Sequence, residues 1–521
     1  MADKSGLIIG QLQGKPSYWE GVTALFNPRL NARDAVTPFL QSCQGRLNRK
    51  PQTLVRLNNA VHCTIVAPTG VGKNVSCALP FLFTCPDSCA VVDFKGENYR
   101  ITSDARRRMG HRVIRLDPFG VCGPGSDTYN PMSSIDPDNT TAIDDCRVMA
   151  ESIVVRGARE SEPYWDDSAE IWIGAMICAM VAFAPPHQRN LQSVRAQLAD
   201  PALREATIKM MCESSHWSGM LSRYGNSLKN YQGKTLDSVL TATNRHFTWA
   251  DTIAVAESMR ESSFNPADLL NGKTTIYLIL PYQHIRTQSA LLRLWIGSLL
   301  RAVIAGGLQE KNKVHFVMDE ANSLSRMDQL SDILTIGRGY GIRMQLYYQD
   351  LGQIRKCWPD GTDQTLLANS SQVWFGVNDQ STAEYVSNRL GEQTIIVASG
   401  GSSTGETYQS PSQDQGSRST STNTSHNWSQ IARKLLKPEE VTLLSPRTAI
   451  VFTPGVLPIA STLVRYYEPS FRKPRRKGLF MATAETVSLF ITVAMIAALC
   501  TAVFFPNILE VLNVQGIEGL F

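Results

Sequence analysis

Residues 61–74 read VHCTIVAPTGVGKN. An apolar run leads into a glycine-bearing turn, and a lysine stands at the mouth of a helix-compatible stretch. Each part answers a need of phosphate chemistry. The run 61–67 has the apolar, β-branched content of a buried strand. Gly70 and Gly72 allow a tight turn and a close backbone approach, so that N–H groups of Thr69, Gly70, Val71 and Gly72 can cradle phosphate oxygens. Lys73 brings a full charge to the terminal phosphates, and the helix start adds positive potential. The spacing is that of G-x-x-x-x-G-K-[S/T] with two departures. Ala67 replaces the first glycine. Asn74 replaces the hydroxyl that holds Mg²⁺, leaving an amide oxygen to contact the metal. The expected ligands are ATP and Mg²⁺.

A second stretch, 314–320, reads VHFVMDE: an apolar strand closing on two acids. Where a strand leaves such a sheet, Asp319 is placed to hold the metal through water and Glu320 to orient an attacking water. Gln349 ends the next strand, MQLYYQ, and is placed to sense the γ-phosphate beside Asp319. Arg338, in the glycine-flanked turn IGRGYGI, is a candidate finger for a neighbouring subunit's nucleotide near the site edge, which demands a ring. Arg389 is the alternative. Asp93, Lys95 and Glu97 in DFKGEN either line a ring pore or support the loop, and the sequence does not choose.

Candidate strands fall at 53–57, 61–67, 89–94, 112–117, 274–280, 314–318, 343–348, 372–377 and 449–452. Helical patterns lie between many of them, which predicts a mostly parallel sheet covered on both faces, a RecA-like α/β fold. Some 150 residues separate the fourth and fifth strands, far too many for a loop. Helical patterns at 141–155, 165–183 and 191–212 make that segment an inserted all-α domain. Within it, Trp165, Asp166, Asp167, Glu170 and Trp172 fit core and solvated faces better than a recognition surface. Residues 399–430, almost wholly Ser, Thr, Gly, Asn and Gln, read as a flexible surface loop, because they bury too little apolar area to offset ordering entropy.

Net charge is +5, from 51 basic and 46 acidic residues, too mild to argue for nucleic acid alone. The run Arg106, Arg107 and Arg108 reads as a solvated helix face, and no sequence-reading module is evident, so any DNA contact is expected at the backbone. The 11 cysteines are scattered through apolar segments, which suits a reducing cytoplasm better than a disulfide framework. Cys85 and Cys89 lack a histidine to complete a zinc site and read as core. No signal peptide is visible. Residues 487–505, VSLFITVAMIAALCTAVFF, carry no charge and approach the roughly 20 residues that span a bilayer. The preceding FRKPRRKG has five basic residues, which places the main body in the cytoplasm.

Broader stretches resemble a known family. APTGVGKN is followed by CAVVDFKGENYRITSDARRRMG, VIRLDPFG, YNPMSSI and YWDDSAEIWIGAMI, then by MDEANSLSRMDQLSDILTIGRGYGIRMQLYYQDLGQI, NRLGEQT and LLKPEEVTLLSPRTAIVFTPGVLPI. Together they span 61–469 and resemble the coupling ATPases of bacterial conjugation and type IV secretion. The resemblance implies a homo-hexameric ring ATPase at the inner membrane that recruits DNA, bound to a relaxase, to the channel subunits. It also implies that the helical insert faces the cytoplasm and takes part in substrate choice. Recruitment of protein effectors alone, or a nucleotide-gated docking platform with little hydrolysis, are alternatives. Relatives carry membrane helices before the phosphate loop, and this chain shows none there, so the C-terminal anchor rests on its own residues.

The expected organisation is a segment of unknown role (1–52), the first ATPase part (53–131), the helical insert (132–265) and the second ATPase part (266–470). A basic juxtamembrane segment (471–478), the membrane helix (487–505) and a short outer tail (506–521) follow.

Overall fold

The computed structural model describes residues 6–11, 54–58, 60–156, 163–309, 311–408, 418–468 and 471. The strands are β1 (Leu7–Gln11), β2 (Leu54–Leu57), β3 (His62–Val66), β4 (Ser88–Asp93), β5 (Arg112–Leu116), β6 (Thr274–Ile279), β7 (Val314–Met318), β8 (Ile342–Tyr348), β9 (Ser370–Phe375), β10 (Glu392–Tyr408), β11 (Arg418–Lys434), β12 (Thr448–Phe452) and β13 (Ile459–Thr462). Eleven of them form one sheet, in the order β2-β1-β13-β12-β9-β3-β8-β7-β4-β6-β5. The run from β9 to β5 is parallel. The other four join as an antiparallel edge.

Residues of β3, β4, β6, β7 and β9 are buried throughout, as strands covered on both faces must be. Their alternation sorts side chains into two cores. Ala90 and Val92 of β4 join Val66, Ile276, Phe316 and Trp295 on one face. Cys89 and Val91 join Ile65, Phe81, Leu82 and Leu7 on the other.

Between β5 and β6 the chain is helical: Ala142–Ile153, Pro163–Phe183, Leu191–Ala199, Pro201–Glu213, Met220–Leu228, Gly233–Phe247 and Ile253–Ser258. These helices share the first core, through Met149, Trp172, Ile173 and Met176. Arg301 from the helix Ser289–Ala305 ties the two parts by donating to the Asp145 carbonyl at 2.9 Å. The single helix expected at 191–212 is two. Pro201 cannot continue the first, and Asp200 caps the second, accepting from Ala202 N at 2.8 Å and Leu203 N at 3.3 Å.

One unassigned segment gains a part, and one other expectation is corrected. The N-terminal segment supplies β1, whose Leu7 and Ile9 enter the core; five residues are too few to stand out as a pattern. The segment 399–430 is not a loop among its described residues. β10 and β11 pair in one register from Glu392↔Lys434 to Tyr408↔Arg418. A ribbon satisfies its backbone by cross-strand hydrogen bonds and Ser/Thr pairs such as Thr404↔Thr422, so it needs no apolar face to be regular.

The chain divides into compact units Met1–Arg465 and Tyr466–Phe521. The apolar run 487–505 lies outside the described residues, and among those described no helix is long and apolar enough to cross a membrane.

Candidate functional site

β3, β8 and β7 are neighbours and run parallel, so their C-terminal ends open on one edge. From β3 the chain enters the glycine turn and Lys73. From β7 it reaches Asp319 and Glu320. From β8, between them, it reaches Gln349. The three stretches meet. Lys73 Nζ lies 3.7 Å from Glu320 Oε1 and donates to the Tyr348 carbonyl at 3.5 Å. Gln349 Nε2 donates to Glu320 Oε2 at 3.1 Å. Lys73 is buried and Glu320 half-buried. Both carboxylate oxygens of Glu320 are thus held, and its backbone sits in the left-handed region at φ 53 and ψ 52, a conformation that costs about 1 kcal/mol or more in a residue with a side chain.

The loop is built as the spacing predicts. Ala67 N donates to the Tyr348 carbonyl at 3.1 Å, so the strand pairing holds until the turn begins. Thr69 and Gly70 are exposed, and Val71 is half-buried. Gly72 has φ +99, and a Cβ there would lie 3.0 Å from Val75 Cγ2. Gly376, one residue past β9, passes beneath: a Cβ on it would stand 2.8 Å from Val71 Cγ1. The need for glycine at 376 was invisible until strand order put β9 beside β3.

Mg²⁺ is a hard cation that binds through oxygen. Asn74 Oδ1 is buried and accepts no hydrogen bond. Burial, with the Glu320 charge adding to it, raises the Asp319 carboxyl to about 6, while Lys73 acts against the shift. A buried amide oxygen and a carboxylate that resists ionising are both relieved by a hard cation, which takes oxygen ligands. The residues fit the ion.

Asp93 supports the turn after β4. Its oxygens accept from Lys95 N at 3.3 Å, Glu97 N at 3.1 Å and Tyr99 N at 2.9 Å. Burial nevertheless raises its pKa. Lys95 is exposed. Glu97 reaches the phosphate loop, accepting from Asn74 Nδ2 at 3.3 Å, a link for which the sequence had no signal beyond the motif DFKGEN.

Other candidates lie elsewhere. Arg338 is exposed in the turn before β8, where Gly341 N donates to its carbonyl at 3.2 Å. That turn is at the opposite ends of the strands from Lys73, so the expectation that Arg338 lies near its own chain's site edge is corrected. Arg389, in the last turn of its helix, donates to Tyr385 Oη at 3.0 Å and lies over the Phe452 ring.

Arg107 and Arg108 are exposed as expected, but Arg106 is fully buried, a correction. Its helix turns that position inward, onto backbone carbonyls that need a donor. Asp166 is also buried; it receives Arg245 Nη2 and His246 Nε2, each at 2.7 Å. Trp172 is core. Asp167 and Glu170 pair with Arg156 at 3.0 and 2.6 Å.

The fold brings Cys85 a histidine that the sequence does not show. Cys85, Asp87 and His315 place ligand atoms within 4.8 Å of one another. Arg106 lies against this cluster, donating to the carbonyls of Cys85 and of Asp87 (2.6 Å). Burial lowers the basicity of His315, Asp87 works against that, and the Arg343 and Lys313 charges work with it. The positive field opposes a divalent cation, and Cys85 and Cys89 are free thiols.

A glycine turn closing on Lys73, an acid-tipped strand and a polar strand end on a parallel sheet define an α/β protein of P-loop, RecA-like fold. The sequence profile of the family described as "Type IV secretory system Conjugative DNA transfer" matches residues 29–492. The chain belongs to that family. It is 28% identical to the conjugal transfer protein TraG of Rhizobium radiobacter over 76% of this chain and 61% of TraG. It is 25% identical to protein VirD4 of the same organism over 78% of this chain and 57% of VirD4. The chain therefore spans only about three fifths of these relatives' length. The fold is similar to that of the plasmid coupling protein TrwB in complex with ADP and Mg²⁺, with a TM-score of 0.56 at 18% identity, covering 79% of this chain and 88% of that one.

Proposed function

We propose that this chain is the ATP-hydrolysing coupling subunit of a type IV secretion or conjugation system. It brings DNA, carried with a relaxase, to the channel and drives transfer by hydrolysis. The observation that carries this reading is the convergence of Lys73, Glu320 and Gln349 at the ends of three adjacent parallel strands, in a member of the conjugative transfer family. The complexes of TrwB with ADP and Mg²⁺ and with a non-hydrolysable ATP analogue support ATP and Mg²⁺ as the ligands.

In this reading Lys73 binds the β- and γ-phosphates, and Thr69, Gly70, Val71 and Gly72 donate backbone N–H groups. Asn74 and Asp319 hold the metal, which supplies charge against the phosphate oxygens. Glu320 orients the attacking water and accepts its proton. Gln349 keeps that carboxylate in place and reports the γ-phosphate. Arg338 serves a neighbour's nucleotide within a homo-hexamer, with Arg389 as the alternative. The helical segment 132–265 acts as a domain that selects cargo. Residues 487–505 anchor the assembly in the inner membrane, with the bulk of the chain cytoplasmic. DNA is held through its backbone without sequence choice.

The test is ATP turnover by the full-length protein in detergent, with and without single- and double-stranded DNA. Turnover stimulated by DNA, and lost in Lys73→Ala and Glu320→Gln, is the expected result. Turnover untouched by either variant removes the site assignment. Ala67 and Asn74 favour a second reading, a nucleotide-gated platform, for which ATP binding without turnover is the signature.

A further inference from the structure

Asn74 stands where the phosphate loop ordinarily offers a hydroxyl to the metal. An amide has two unlike ends. Its oxygen accepts and its NH₂ group donates, so it serves a cation only when held in one of two orientations. Here the orientation is set. Asn74 Nδ2 donates to Glu97 Oε2 at 3.3 Å. A carboxylate accepts only, so the amide nitrogen must face Glu97 and Oδ1 must face away. That Oδ1 is buried and accepts nothing, a state that costs free energy until a ligand arrives.

Glu97 is itself fixed. Its backbone N–H is held by Asp93 Oδ1 at 3.1 Å. The preceding Gly96 has φ +66, and a Cβ there would lie 2.3 Å from Cys122 Sγ, so the turn admits only glycine and has one shape.

We propose that Glu97 is the positioning residue of the metal site. It locks the Asn74 amide with Oδ1 turned toward Mg²⁺, so that a loop without a hydroxyl coordinates through an amide oxygen instead. The inference rests on the reading that the chain binds a nucleotide with Mg²⁺. Glu97 acts through Asn74, whose amide nitrogen its carboxylate holds. Released from Glu97, the amide is free to present its NH₂ group, which a hard cation does not take, and a ligand is lost.

The test measures binding of a fluorescent ADP to the full-length protein, titrated with MgCl₂ and, separately, in EDTA. In Glu97→Ala the affinity in EDTA is unchanged, which also reports that the loop is folded. The Mg²⁺ concentration that gives half the metal-dependent gain rises about 10-fold or more, the range expected when an outer-shell partner is lost. Adding Asn74→Thr to Glu97→Ala restores a hydroxyl that needs no carboxylate to aim it, and the half-point returns toward that of the wild type. The proposal is overturned if Glu97→Ala weakens ADP equally with and without metal, if its half-point does not move, or if Asn74→Thr fails to rescue. A wild-type protein whose ADP affinity ignores Mg²⁺ instead sinks the nucleotide reading itself, and the proposal falls with it.

Discussion

Among the buried cations, Arg106 and Lys73 flank the two ends of the sheet and are held in opposite ways. Arg106, at the N-terminal ends of the strands, is saturated. It donates to the carbonyls of Leu82 (3.3 Å), Cys85 and Asp87 (2.6 Å), to Thr275 Oγ1 (2.9 Å) and to Cys89 Sγ (3.4 Å), and its Nη2 lies 3.1 Å from His111 Nδ1. Lys73, at the C-terminal ends, has a carbonyl at 3.5 Å and a carboxylate at 3.7 Å. These are long contacts that an anion can replace. A cation that holds a fold together fills its coordination with protein, whereas one that waits for a ligand keeps its contacts loose.

Breaking the structural cation should do most damage to the fold. Arg106→Ala strands several carbonyls and empties a packed site, with an expected loss of about 3–5 kcal/mol; a denaturant midpoint near the wild type's would refute the contrast. Lys73→Ala should leave that midpoint nearly unchanged while turnover falls at least about 100-fold. Glu320→Gln keeps the contact to Gln349 and the shape but loses the base, so turnover drops about 100-fold or more while ADP binding, read by fluorescence, persists.

Asp319→Asn sharpens the comparison through pH. The folded carboxyl sits at about 6, against 3.8 for the ordinary group. The folded state therefore binds the proton more tightly than the unfolded chain does. Charge at this position costs stability above pH 6, and the cost disappears as pH falls toward 4. Removing it should stabilise the ligand-free protein by up to about 2 kcal/mol at pH 7.5, with no gain at pH 4, while Mg²⁺-dependent turnover is lost. Thermal melts across that range decide it. The smallest effect belongs to the ribbon. Trp428 is 78% exposed on β11, and Trp428→Ser should move stability by less than about 0.5 kcal/mol.

The parallel strands, and the turn and strand ends that carry Lys73, Asp319, Glu320 and Gln349, were legible because each is signalled locally. An apolar run of strand length ends in a glycine turn at Lys73, or in acids at Asp319 and Glu320. What sequence could not supply was adjacency. That β8 lies between β3 and β7, and so presses Gln349 onto Glu320, follows from strand order. Gly376 beneath Val71 and Glu97 beside Asn74 depend on the same information. The ribbon was misread for another reason: composition reports apolar burial, and two strands paired only with each other need little of it. Arg106 was misread because three adjacent arginines look alike until a helix turns one of them inward.

Arg338 and Lys73 stand at opposite ends of β8, whose seven residues, Ile342–Tyr348, put about 20 Å between those ends. No single chain can bring that guanidinium to its own phosphates. In the proposed role of Arg338, a protein carrying Lys73→Ala and another carrying Arg338→Ala are each inactive and each keep what the other lacks. Co-assembled, they should regain turnover that neither has alone, a genetic complementation written into the length of one strand.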